Sequence, residues 1–249
     1  MTTERTELRP ARLRLGASLT LVGLTLGACR STATPSPGAA PGAPLPLGPP
    51  VQVLLRAEAR SDGESARLRL TLRYWDRERF ELRASDLLGR AVWTLAAASE
   101  LGLWRDLREQ HSCRFTATDR VRLEGVSLPL PSRALPAVLL GEPPAQPPDS
   151  RQLTPAGAGG SRVEFVDRDG RRWRMRLDRD GELLAWQLEE QGVVRLEWER
   201  SGESRWLRSH EPELEIEWRE VAREPLVAPA PDLATAAREV PECANGHLS

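Results

Sequence analysis

The sequence predicts a mainly β protein, an incomplete antiparallel β-barrel of about ten to eleven strands with a short helical lid or plug. Three observations predict it. Apolar and charged residues alternate with period two through much of the chain. Turn signals (Asp-Gly, Gln-Gly, Ser-Gly) recur at short, even spacing. Helical character is confined to one proline-led stretch and one short piece of the tail.

Residues 1–28 have a basic start (Arg5, Arg9, Arg12, Arg14) and then an apolar run, Leu15–Gly27. That run is shorter than the roughly 20 apolar residues a bilayer span needs. A basic start, a brief apolar core and a small-residue end are the marks of a secretory signal. Leu26-Gly27-Ala28-Cys29 closes the run and matches the bacterial lipobox, in which the cut falls before a diacylated cysteine. Cys29 is therefore the expected lipidation site. Arg30 follows it rather than a retaining Asp, which favours the outer membrane, facing the periplasm. Residues 29–50 form a Pro/Gly-rich tether that cannot bury enough apolar surface to fold. Fully extended, it would reach roughly 60 Å.

Alternation begins at Val51. Leu68, Leu70, Leu72 and Tyr74 interleave with arginines and a threonine. Asp76-Arg77-Glu78 turns the chain, and Phe80, Leu82 and Ala84 interleave again. Leu87-Leu88-Gly89-Arg90 interrupts before Trp93, Leu95 and Ala97. Leu103–Thr116 and Val121–Leu123 read as strands of weaker periodicity. Leu128–Glu142 breaks the rhythm. Pro131-Ser132 can start a helix with Leu135, Val138 and Leu139 on its apolar side, and Pro136 limits or kinks it. The Pro/Gly-rich stretch Glu142–Gly160 reads as a loop.

The second half is a meander. Val163 and Phe165 precede Asp167-Arg168-Asp169-Gly170; Trp173, Met175 and Leu177 precede Asp178-Arg179-Asp180-Gly181. Leu184, Trp186 and Leu188 follow, then Val194, Leu196 and Trp198, and finally Leu214, Ile216 and Trp218. Residues 51–225 suit one domain. Residues 226–249 are a Pro-rich tail with a short helix expected at Asp232–Glu239.

Composition excludes several classes. A net charge of −1 gives no bulk attraction to nucleic acid. All 35 basic residues are arginine. The three histidines, His111, His210 and His247, are scattered, and His111-Ser112-Cys113 falls short of a four-ligand zinc site. The Asp-Arg-Asp-Gly pairs place glycine at the fourth position, where a calcium loop needs it at the sixth, so they read as hairpin turns. No Gly-x-Ser-x-Gly elbow or dinucleotide loop is present. No catalytic residues, metal or cofactor are expected, and the protein reads as a monomeric binding protein rather than an enzyme. With Cys29 acylated, Cys113 and Cys243 are left in an oxidising compartment, either bridged or free.

What remains is the apolar face. Leu70, Leu72, Phe80, Leu82, Trp93, Leu95, Trp173, Met175, Trp186, Leu196, Trp198, Ile216 and Trp218 form either a plain core or the wall of a cavity. Eight strands already enclose a barrel that side chains fill, and more leave space unless something plugs it. The fitting ligand for such a space is an acyl chain, at about 0.8 kcal/mol per buried CH₂.

Three stretches resemble the LolB family of outer-membrane lipoprotein receptors and their LolA carrier relatives. They are the lipobox, Arg79–Leu95 (RFELRASDLLGRAVWTL) and Leu128–Pro143 (LPLPSRALPAVLLGEP). In the second, Leu88-Gly89 stands where the family has Leu-Gly, and Leu87 stands where it has Pro. The resemblance implies a helix-lidded half-barrel holding lipid or lipoprotein acyl chains received from a periplasmic carrier. It also implies that Leu88, with Leu87, forms a membrane-insertion loop. Independently of the family, Leu87-Leu88 is an apolar pair in a Gly-ended turn with no evident core partner. The other reading is an envelope assembly or scaffold lipoprotein that holds a protein partner.

Overall fold

Strands follow one another wherever the alternation persists, and the computed structural model describes residues 49–61, 63–118, 120–123, 126–145, 152–156, 160–211 and 213–243. Before the helix come β1 (Val51–Ser61), β2 (Glu64–Asp76), β3 (Arg79–Ser85), β4 (Ala91–Ala98), β5 (Leu101–Asp106), β6 (His111–Thr116), β7 (Arg120–Leu123) and β8 (Val126–Pro131). A 3₁₀ turn, Ser132–Ala134, runs into α1 (Leu135–Leu140). After it come β9 (Gln152–Ala156), β10 (Gly160–Val166), β11 (Arg172–Leu177), β12 (Leu183–Glu190), β13 (Val193–Ser201), β14 (Ser204–His210), β15 (Glu213–Pro225) and α2 (Leu233–Ala236).

Thirteen strands form one antiparallel sheet in the order β6-β5-β4-β3-β2-β1-β15-β14-β13-β12-β11-β10-β9, and β7-β8 form a separate hairpin. Two meanders thus meet at the β1–β15 pair. The sheet stays open, as expected of an incomplete barrel. Register shifts at Leu54/Leu55, Ala84/Ser85, Arg176/Leu177 and Leu188/Glu189 are bulges that bend it.

The strand count exceeds the expected ten to eleven for identifiable reasons. Leu103–Thr116 is two strands, β5 and β6, joined by a turn. The stretch read as a loop holds β9, whose Pro155 cannot donate to a ladder; β9 is the outermost strand, where a proline is tolerated. The stretch read as breaking the rhythm contributes β8. Pro136 does not kink α1. It sits in the first turn, where its missing N–H would be unpaired anyway.

α1 ends on Gly141 at φ 83°, with Gly141 N–H donating to Val138 O and Glu142 N–H to Ala137 O. This is a left-handed closure that glycine alone adopts without strain. Ser132 ties the segment to the far end of β6 by donating to Ala117 O at 2.8 Å.

The tail crosses the outer face of the first half-sheet. Trp75 Nε1 donates to Ala228 O at 2.7 Å, and Leu233 and Ala237 cover Ala96 and Leu103. Arg114 N–H donates to Pro241 O and Cys243 N–H to Arg114 O, so the tail pairs with edge strand β6. A disulfide joins Cys113 to Cys243 there.

Candidate functional site

Because side chains alternate along a strand, the positions that alternate apolar in sequence fall on one face, the inner face of the sheet. Leu70, Leu72, Phe80, Leu82, Trp93, Leu95, Trp173, Met175, Trp186, Leu196, Trp198 and Trp218 are all buried in one cluster, and Ile216 packs half-buried against it. The structure brings every one of them together. Leu130, Ala134, Leu135, Val138 and Leu139 join the same cluster, so the 3₁₀ turn and α1 lie over this face as a lid.

Tryptophan gives the face its character. Trp173 lies 5.5 Å from Trp186 and 6.4 Å from Phe165 between ring centroids, and Trp93 lies 5.0 Å from Trp104. Trp186 and Trp198 stand directly opposite on β12 and β13. Trp218 Nε1 donates to Leu139 O of the lid at 3.1 Å, and Trp173 Nε1 donates to Asp167 Oδ2 at 2.9 Å. The buried indole N–H groups of Trp104, Trp186 and Trp198 have no acceptor among the described residues. The face is thus a close-packed apolar core with three indole donors left over.

The second part of the site is the β3–β4 turn. Leu87 is 52% exposed and Leu88 80%. Asp86 builds the turn. Its Oδ1 accepts from Leu88 N–H and Arg90 N–H, its Oδ2 from Arg90 Nε at 2.6 Å, and its main chain exchanges bonds with Gly89 and Arg90. Gly89 adopts φ 82°. Burial opposes ionisation of Asp86, but the Arg90 guanidinium and these main-chain donors outweigh it and hold the carboxyl below the ordinary Asp range.

The same scaffold occurs twice more. Asp167 accepts from Asp169 N–H, Arg171 N–H and Arg171 Nε, and Gly170 N–H closes on Asp167 O. Asp178 accepts from Asp180 N–H and Glu182 N–H, and Gly181 N–H closes on Asp178 O. The two residues at the tip are Arg168-Asp169 and Arg179-Asp180 in those turns, and Leu87-Leu88 in the first. The scaffold places no demand for leucine. In the sequence only the two Asp-Arg-Asp-Gly stretches look alike. The third instance was visible in the Asp-x-x-Gly-x spacing of Asp86–Arg90, masked by its apolar tip.

Cys29, the expected lipidation site, the signal before it and the tether up to residue 48 lie outside the described residues. Cys113, by contrast, is buried and bonded to Cys243 at the edge where the tail docks.

No family model matches the chain, and no curated protein does. Solved structures do. A LolA superfamily protein from Nitrosomonas europaea superposes with a TM-score of 0.51 at 7% identity, covering 73% of this chain and 88% of that one. An outer membrane lipoprotein-sorting protein domain from Vibrio parahaemolyticus superposes with a TM-score of 0.54 at 7% identity, covering 76% and 92%. At this identity the likeness is one of fold: the chain shares the open antiparallel-sheet architecture of these two proteins.

Proposed function

We propose that the protein is an outer-membrane lipoprotein, anchored through Cys29, that receives lipid or lipoprotein acyl chains on its apolar inner face and unloads them into the bilayer at the Leu87–Leu88 loop. The observation that carries this reading is the repeated turn. On one backbone scaffold, two tips present Arg-Asp to water and one presents two exposed leucines. Exposed apolar tips cost solubility and contribute nothing to the fold, so their value lies in a contact outside the chain. The turn also suits an apolar medium: Asp86 satisfies its inner N–H groups and is itself paired with Arg90, so entry into lipid leaves few bare polar groups.

In this mechanism no covalent step is needed. Acyl chains slide under α1 against the tryptophans and displace the lid side chains Leu135, Val138 and Leu139. A periplasmic carrier of the same fold supplies them, and transfer runs downhill in affinity toward the bilayer. The test is delivery of an acylated lipoprotein from its carrier to vesicles, comparing the wild type with Leu87→Arg/Leu88→Asp, which copies the other two turns. Delivery should fall at least tenfold with the fold unchanged. Undiminished delivery by the variant contradicts the loop assignment.

A second reading, an envelope scaffold lipoprotein holding a protein partner, is favoured by one feature: α1 already covers the inner face. Under that reading acyl chains do not enter the face at all.

A further inference from the structure

We infer that the outer face of the first half-sheet, at the base of the Leu87–Leu88 loop, is a cationic surface that seats the anionic headgroups of a phospholipid bilayer. On the other half of this face arginines pair with acids: Arg174 with Glu189 at 3.1 Å, Arg208 with Glu215 at 2.8 Å, and Arg176, although it stands opposite Arg162, with Glu199 at 3.4 Å. Around the loop the pattern fails. Arg219, Arg56 and Arg69 stand directly opposite one another on β15, β1 and β2. The residue across from Arg69 on β3 is Ser85, which leads straight into Asp86. In the neighbouring row Arg83 and Arg105 flank Thr94 on β3, β4 and β5.

All five arginines are exposed, and none makes an ion pair or side-chain hydrogen bond with a described residue. The nearby acids are taken: Glu58 by Arg60 at 2.8 Å and Arg67 at 2.9 Å, Glu81 by Arg73 at 3.7 Å. Like charges directly opposite on neighbouring strands weaken a sheet. Arg219, Arg56 and Arg69 stand so, and with Arg83 and Arg105 in the next row they make a local concentration of positive charge in a chain of net charge −1.

Their neighbours identify the partner. The band abuts the exposed leucines, and Arg105 leads into a turn whose Leu107 is also exposed, at 42%. Leu107 N–H donates to Val92 O at 2.8 Å, which holds that turn beside the loop. At about 3.3 Å per residue the row of Arg69, Arg56 and Arg219, level with Ser85, lies roughly 10 Å behind the tip of Leu88, and the row of Arg83 and Arg105 roughly 16 Å. An element inserted about 5–10 Å into the headgroup and acyl boundary would bring the first row to the phosphate layer and leave the second facing it from the water side. An apolar tip with a basic collar fits an anionic lipid surface, whereas nucleic acid or an acidic protein would have no use for the leucines. This rests on the reading that the loop meets the membrane.

The test is vesicle co-sedimentation of the full chain carrying Cys29→Ser, so that acylation does not dominate. Vesicles of phosphatidylcholine alone are compared with vesicles containing phosphatidylglycerol, at low and high salt. The wild type should prefer the anionic vesicles and lose that preference in high salt. The variant Arg56→Gln/Arg69→Gln/Arg83→Gln/Arg105→Gln should lose about fivefold per arginine on anionic vesicles and nothing on neutral ones. Arg174→Gln/Arg176→Gln, on the other half of the sheet, should behave as wild type. Equal binding by the fourfold variant and the wild type overturns the inference, as does tighter binding to an oligonucleotide than to the anionic vesicle. Leu88→Glu separates the two claims: it should weaken binding to both vesicle types. If it weakens neither while the fourfold variant still loses its preference, the cationic surface stands and the loop reading falls.

Discussion

The indole of Trp218, at the middle of the sheet, donates to the main-chain carbonyl of Leu139 in the last turn of α1, at 3.1 Å. The bond fixes the lid to the inner face at the β15 strand and satisfies a carbonyl that the end of the helix leaves open. Trp218→Phe keeps most of the buried area and removes the donor. Stability should fall by about 1–2 kcal/mol, read as a lower urea midpoint at unchanged slope. Trp198→Phe is the control: its N–H has no acceptor among the described residues, so its loss should cost less than that of Trp218. Equal costs would mean that the bond contributes nothing to holding the lid.

The Leu87→Arg/Leu88→Asp variant should be as stable as the wild type to within about 0.5 kcal/mol, because both side chains already face water and Asp86 still makes every turn bond. Hydrogen exchange at Leu88 and Arg90 N–H should be unchanged. A large destabilisation would show that the leucines serve the fold and not an outside contact.

Asp86 and Asp167 make the turns sensitive to acid. For Asp167, burial opposes ionisation, and hydrogen bonds from the Trp173 indole and from Arg171 outweigh it and hold the carboxyl below its ordinary range. A folded value below the unfolded one means that the unfolded chain binds more protons, so stability rises with pH through that interval. The contribution is fully present above the ordinary Asp value of about 3.9 and is lost as pH falls through the lower folded values. A carboxyl-carbon NMR titration should place both midpoints below that ordinary value. Midpoints at or above it would contradict the capping account.

The Cys113–Cys243 bridge closes a loop of sequence separation 130. In the chain-entropy model such a loop contributes up to about 4–5 kcal/mol. Cys113→Ser/Cys243→Ser should lower stability by a sizeable part of that and raise exchange at Arg114 N–H, which pairs with the tail. Unchanged exchange at Arg114 would show that α2, packed on Ala96 and Leu103, holds the tail unaided.

Much of the fold is legible in the sequence because local chemistry and global packing agree. The turns at Asp167–Gly170 and Asp178–Gly181 and the alternation of β10–β15 need only neighbouring residues to be recognised. β9 and β8 were hidden because their prolines argue against strands unless the strand's place at an edge or in a side hairpin is known. The exposure of Leu87-Leu88 followed from the absence of a core partner. The arginine collar could not be read, since Arg56, Arg69 and Arg219 become neighbours only through the register of β1 with β2 and β15. The lid bond from Trp218 to Leu139 spans 79 residues and has no local signature.

Entry of acyl chains onto the inner face is read by quenching of tryptophan fluorescence with a fatty acid brominated along its chain. Trp173, Trp186, Trp198 and Trp218 lie on the face proposed to receive acyl chains and are buried from water. Saturable quenching of the buried emission is expected, with an unbrominated chain of equal length competing. Absence of quenching at saturating ligand, with the fold intact, would contradict it.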